Sequence, residues 1–384
     1  MKHYPVNELS DQWAAVLENK YTGIDDIGAG NGLSGIGIFF LYRYWNKGEE
    51  RSRAIFLEIL ETILVKMEKR YNKGLSVIEL TEFLHLLDIS ETVAGKYYDT
   101  RELKDNLLQV VKQCGASLLD KEEYDPYTGG FFQAWYLLQS GREEEFTRRC
   151  IALLRQKTAY VSSSSGYFHS LFHKEKMCLS ITHGLAFYIT YLCTAYEQGI
   201  DKKNCLELLA CYSRYLFSQR LPFAERACFF TDYEGDTGSS RLSLCYGDAG
   251  ILVSLLRASR ILNDTKMEHS VLAMLQATLN RTSMENTGVQ DDSLLYGRAG
   301  LYLFYNKVYQ LTGQRQYAEA SISWKQTSTA SLTQAAQYYR QATGSVARLR
   351  QDISFQEGLT GTLTAYNCSS RKQLQDLQFF FYLK

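Results

Sequence analysis

Proline is almost missing from this sequence, at 3 residues in 384. It breaks helix interiors and is tolerated in loops, so its scarcity argues for a mostly helical chain with few rigid extended linkers. Net charge is missing as well: 42 basic side chains balance 42 acidic ones. Without a block of like charges, the electrostatic footprint of a nucleic-acid binder is absent. No apolar run reaches the roughly 18 to 20 residues that a membrane span needs. The opening residues, MKHYPVNELSDQW, lack the apolar segment of a secretory signal. Nine cysteines, an odd number without regular spacing, fit reduced thiols better than a disulfide framework. These absences predict a cytoplasmic protein with no nucleic-acid partner and no membrane insertion.

Glycine, at 27 residues, is what the sequence has in quantity. Residues 51–71 place Ile55, Ile59, Ile63 and Met67 beside Phe56, Leu60, Leu64 and Tyr71 at i, i+4 spacing, which predicts one long amphipathic helix. Similar segments recur near 99–119, 142–158, 201–219, 265–280 and 314–340. Between them lie shorter, more apolar runs that each open at a glycine: GLSGIGIFFLYRYW, GGFFQAWYLL, HGLAFYITYL, YGDAGILVSLL, YGRAGLYLFYNKVY and EGLTGTLTAYN. The leading glycines are Gly32, Gly129, Gly184, Gly247, Gly297 and Gly358, and the first interval is about twice the others. Residues 74–90 therefore supply a repeat that has lost its glycine, making seven repeats of about 55 residues.

Seven helical hairpins, each with one helix apolar all round and one bearing a single apolar stripe, predict an all-α fold with buried helices inside and amphipathic helices outside. A solenoid needs polar capping repeats, and none is visible, so closure into an (α/α)7 toroid is expected. The Ser162–Ser165 stretch is expected to form a hairpin or loop insertion. No composition shift marks a boundary, and residues 1–384 are expected to form one domain.

In the G-x-x-G pairs, such as Gly247 with Gly250, the missing side chains let the lead-in loop and neighbouring backbone approach closely. In a closed ring, the inner-helix N-termini are expected to gather free N–H groups and positive dipole ends at one mouth. The residues before each glycine, Asn31, Thr128, His183, Cys245 with Tyr246, Leu295 with Tyr296, and Glu357, are expected to line one cavity there. Asp125 and Arg241, four residues ahead of Gly129 and Cys245, are placed to reach it.

These motifs, GNGLSGIGIFFL, YDPYTGG, LSITHGLAF, RLSLCYGDAG, LLYGRAG and EGLTG, together resemble the LanC-like lanthionine synthetase cyclases over essentially the whole chain. The resemblance implies a seven-repeat α/α toroid that closes thioether rings in a ribosomal precursor peptide, with a dehydratase as a possible partner. In that family a Cys in W-C-Y-G and a Cys-His pair in C-H-G bind one zinc. Cys245 matches the first ligand, Leu244 replaces the Trp before it, and the C-H-G place holds Leu295-Tyr296-Gly297. Catalytic zinc takes three protein ligands and an open position, so no metal cofactor is expected here. His169 and His173, with Cys178, read as ordinary structural or surface residues, and the remaining cysteines as small core hydrophobes.

The resemblance carries over Asp125, His183, Arg241 and Tyr246 as site residues. The implied reaction adds a peptide thiol to the β-carbon of a dehydrated Ser or Thr. A thiol of ordinary pKa is already a few per cent thiolate at pH 7, so the loss of zinc slows that step without forbidding it. His183 is expected to be the acid/base, oriented by Asp125, with Arg241 and the helix N-termini stabilising the enolate and Tyr246 or Tyr296 adding an O–H. Two other classes stay open: a catalytically inactive LanC-like protein that binds and presents a peptide, and a glycoside hydrolase using Asp125 with Glu357.

Overall fold

A computed structural model describes residues 6–70, 74–173, 175–221, 229–236, 241–341 and 353–384. In chain order its principal elements are α1 (Val6–Glu18), α2 (Leu33–Lys47), α3 (Glu50–Arg70), α4 (Val77–Ala94), α5 (Arg101–Asp120), α6 (Gly130–Ser140) and α7 (Glu144–Lys157). A short antiparallel hairpin of β1 (Ala159–Ser162) and β2 (Ser165–Tyr167) follows, where the serine-rich stretch was expected to insert one. Then come α8 (Leu185–Glu197), α9 (Lys202–Ser218), α10 (Asp248–Ile261), α11 (Thr265–Thr278), α12 (Met284–Thr287), α13 (Arg298–Thr312), α14 (Arg315–Gln341), α15 (Leu359–Tyr366) and α16 (Arg371–Gln378). The expected alternation is present. In α8 every residue from Leu185 to Ala195 is buried, whereas α3 buries only the stripe of Ser52, Ile55, Phe56, Ile59, Leu60 and Ile63.

The repeat without a leading glycine starts its helix differently. Ser76 caps α4, its hydroxyl accepting from the Ile78 N–H (3.2 Å) while Glu79 accepts from the Ser76 N–H (3.0 Å). This capping box satisfies orphan N–H groups with side chains, which removes the need for close backbone approach at that position.

The described residues fall into two compact units. One comprises residues within 1–111, 291–306 and 318–378. There the last glycine-led helix, α15, packs beside the first, α2, and the Phe355 N–H donates to the Gly30 carbonyl (2.9 Å). Trp13 of α1 adds a bond from its indole N–H to Thr360 (3.2 Å). The chain thus returns to its own start within that unit. The other unit comprises residues within 112–290, 307–317 and 379–384. Its buried helices α6, α8 and α10 are backed by α7, α9 and α11, and β2 lies on α9. The terminal residues Phe379–Leu383 are buried in it, with Trp135 donating to the Phe379 carbonyl (3.0 Å). Among the described residues no helix is long and apolar enough to cross a membrane.

Candidate active site

One turn recurs ahead of the glycine-led helices. Asp125, Ser180, Ser293 and Ser354 each stand four residues before Gly129, Gly184, Gly297 and Gly358, and each carbonyl accepts the glycine N–H at 2.9–3.1 Å. Each side chain then accepts the N–H three residues on, at Thr128 (2.8 Å), His183 (3.2 Å), Tyr296 (3.2 Å) and Glu357 (3.1 Å). Short oxygen-bearing side chains close such turns on their own backbone. The glycine has a steric reason: a Cβ on Gly184 would strike the Cys178 carbonyl six residues upstream. Gly247 has a conformational one, since its φ of 96° lies where L side chains are strained.

The first helical N–H groups return to this loop. Leu33, Gly130, Leu185, Asp248 and Arg298 each donate to the carbonyl seven residues earlier, on Asp26, Glu123, Cys178, Arg241 and Asp291. The expected collection of free N–H groups is thereby corrected: these donors are spent on the lead-in loops, because the same close approach that requires glycine brings a carbonyl over the helix end.

At Asp125 the serine of the other turns is replaced by a carboxylate, which has an oxygen to spare. Its Oδ1 performs the turn's task, accepting from the Tyr127 N–H (3.0 Å), the Thr128 N–H (2.8 Å) and the Thr128 hydroxyl (2.9 Å). Both oxygens face His183 Nδ1, Oδ2 at 3.0 Å and Oδ1 at 3.2 Å, and Oδ2 has no other task among the described residues. An ionised carboxylate only accepts, so Nδ1 carries the proton and Nε2 is left as the basic nitrogen. Nε2 makes no hydrogen bond to the described residues, and His183 is 8% exposed. The Tyr246 ring stacks 5.7 Å from the imidazole at 26°, and the Tyr127 ring meets it edge-on at 5.8 Å. Burial, then Cys245 and Tyr233, hold the Tyr246 phenol well above its ordinary value, so it remains an O–H donor.

Cys245 is buried against Thr182, whose hydroxyl donates to the Cys245 carbonyl (3.0 Å) and lies 3.0 Å from its Sγ. With that hydroxyl proton committed, the thiol is the donor in the second contact. The chain continues through Ser180 (3.3 Å) to Cys178 (3.1 Å), whose thiol is pushed up to about 12 by burial. The donor set does not fit the family's zinc site: Cys245 hydrogen-bonds Thr182, and Leu295 and Tyr296 bring no thiolate or imidazole to the places of the other two ligands. His169 bonds through Nε2 to the His173 carbonyl (2.8 Å), so its neighbour at i+4 is met through backbone. The described cysteines are free thiols, and Cys228 lies outside the described residues.

The structure thus brings together Asp125, His183 and Tyr246, with Cys245 one residue behind. Arg241 is half-buried on the lead-in loop of α10, its Cβ facing Gly288. Asn31, Tyr296 and Glu357 lie in the other unit on the equivalent turns, Tyr296 half-buried and the other two exposed. Asp125 is engaged with its own turn and with His183, whereas Glu357, its partner in the glycoside hydrolase reading, lies in the other unit. Sequence reasoning missed Ser180, Ser293 and Ser354, although their four-residue spacing to the repeat glycines was the available signal. It also missed Tyr382, whose hydroxyl donates to the Pro126 carbonyl (2.7 Å) and pins the Asp125 turn.

Comparison with curated protein sequences finds no match. Among solved structures the chain is similar to nisin cyclase, with a TM-score of 0.70 and 15% identity, covering 98% of this chain and 97% of that one. The likeness shows the fold, the all-α hairpin toroid expected from the repeats. The sequence profile of the lanthionine synthetase C-like proteins matches residues 23–289, more than half of the chain. On that match the chain belongs to the lanthionine synthetase C-like family.

Proposed function

We propose that the protein closes thioether rings by adding a cysteine thiol of a ribosomal precursor peptide to a dehydrated Ser or Thr of the same peptide. The observation that carries this reading is the His183 imidazole, held through Nδ1 by Asp125 with Nε2 unbonded among the described residues. Nε2 takes the thiol proton as the S–Cβ bond forms, the π pair moves onto the adjoining carbonyl as an enolate, and the same nitrogen returns the proton to the α-carbon. Atoms and electrons balance without a redox partner. Tyr246, a persistent O–H donor, and Arg241 stabilise the enolate oxygen. No step passes through zinc, and Cys245 serves the cavity wall. The acceptor must come from an enzyme that removes water from Ser or Thr, which makes a dehydratase the partner, and a reducing cytoplasm suits a reaction that consumes free thiols.

Incubation with a dehydrated, cysteine-containing peptide, followed by thiol counting and mass analysis, tests the proposal. Thiols should disappear without change of peptide mass, and chelator should leave the rate unaltered. Retained peptide binding with no thiol loss would assign the protein to the non-catalytic, peptide-presenting class. Stoichiometric zinc lost on Cys245→Ala would overturn the metal-free reading.

A further inference from the structure

One face of His183 is covered by Phe172, whose ring lies 4.0 Å from the imidazole and within 16° of parallel. Phe172 itself is 39% exposed, and the neighbouring Leu171 is 42% exposed. A core phenylalanine would be hidden; this one leaves much of its surface in water while lying flat on one imidazole. Leu171 has φ 63°, a region that L side chains rarely adopt and that surrounding structure must impose. The segment is anchored on both sides. Phe168 is buried against Tyr124 (5.2 Å), Phe131 (5.9 Å) and Tyr188 (4.7 Å), and Met177 is buried at the far end. His173 meets Phe172 edge-on (5.1 Å) and Tyr233 edge-on (4.8 Å), and Tyr233 adjoins Tyr246. A run of rings thus holds Phe172 in place.

From this geometry we infer that Phe172 is a positioning residue for His183, an inference that rests on the reading of His183 as acid/base. Asp125 fixes Nδ1, which still leaves the ring free to rock through small coupled changes about its Cα–Cβ and Cβ–Cγ bonds. Phe172, lying flat on the ring at 4.0 Å, with Tyr246 a second stacked ring at 5.7 Å, removes that freedom, so Nε2 has one direction in which to meet the thiol and the α-carbon. Small errors in such a direction are costly to a proton transfer.

The test compares wild type with Phe172→Ala, Phe172→Leu and Phe172→Tyr by three readouts. In histidine-labelled protein the His183 ring protons should be shifted upfield by the overlying ring, move toward ordinary positions in F172A and F172L, and stay upfield in F172Y. Carbethoxylation of His183 by diethyl pyrocarbonate, read by peptide mass, should be several-fold faster in F172A than in wild type. Cyclisation should show kcat down about tenfold with KM changed far less, restored by F172Y. Unchanged ring shifts and carbethoxylation in F172A would overturn the inference, as would altered shifts with an unaltered kcat. If wild type shows no turnover, the cyclase reading fails, and the ring shifts and carbethoxylation alone decide whether Phe172 orients the imidazole.

Discussion

Two lead-in turns, one in each unit, solve the same problem with a carboxylate from different places. Ahead of α6 the carboxylate is on the turn: Asp125 satisfies the Tyr127 and Thr128 N–H groups with one oxygen and adds a second, otherwise uncommitted, as the nearer acceptor for His183. Ahead of α2 the equivalent position is Gly28, and Glu82 of α4 reaches into the vacant space. Its Oε2 accepts from Ala29 (2.7 Å) and Gly30 (3.3 Å), while Oε1 is buried without a partner among the described residues. Burial, with Asp26 and Glu79 nearby, pushes Glu82 up to about 7 against the pull of its two N–H donors. The lesson is that the turn needs one side-chain oxygen as acceptor, which a serine hydroxyl supplies as well as a carboxylate does. The second carboxylate oxygen faces His183 at one turn and is buried without a partner among the described residues at the other.

The sharpest break in the comparison is on the catalytic side. His183→Ala should lower the cyclisation rate by about 10³-fold, within the usual range for a general acid/base, with peptide binding kept. A rate within threefold of wild type would make the Asp125 turn equivalent to its structural counterpart.

The next effect belongs to Glu82 and concerns stability. Its pKa is raised in the folded state above the ordinary 4.5, so the fold binds the proton more tightly than the unfolded chain does. Stability should therefore fall as pH rises from about 4.5 to about 7 and level off above, by on the order of 3 kcal/mol from this group. Glu82→Gln keeps an acceptor for Ala29 and removes the charge. Denaturant midpoints between pH 5 and 8 should then decline less steeply than in wild type, and a parallel decline would refute the assignment.

A smaller difference separates two replacements at Asp125. Asp125→Ala removes the acceptor of the three turn hydrogen bonds and of the His183 contact and should cost about 2 kcal/mol. Asp125→Ser reproduces the turns at Ser180, Ser293 and Ser354 and should melt within a few degrees of wild type. Equal melting points for the two variants would show that the turn does not depend on this side chain. Least of all, Tyr382→Phe removes one hydrogen bond to the Pro126 carbonyl, a loss of about 1 kcal/mol that should raise amide exchange in residues 125–129 before it lowers the melting point.

The comparison also marks where sequence reading reaches. Helix positions were legible because i, i+4 apolar stripes and leading glycines have a fixed period, and α3, α7 and α9 end within a residue or two of their expected bounds. Asp125, His183 and Tyr246 were legible because they sit at fixed offsets from those glycines. Glu82 was not, since it serves a turn more than fifty residues away and no local pattern reports it. Phe172 was hidden in an insertion that carries no repeat. The spent N–H groups were missed because a seven-residue return from loop to helix end is a three-dimensional event, invisible to a hydrophobic period.

The central claim is that the spare oxygen of Asp125 makes a catalyst of a turn that elsewhere only starts a helix. Asp125→Ser isolates that oxygen, and its thiol-consumption rate on a dehydrated, cysteine-containing peptide is the most direct measurement. The account predicts a folded variant about 10²-fold slower than wild type. A folded D125S protein that closes rings at the wild-type rate would contradict it.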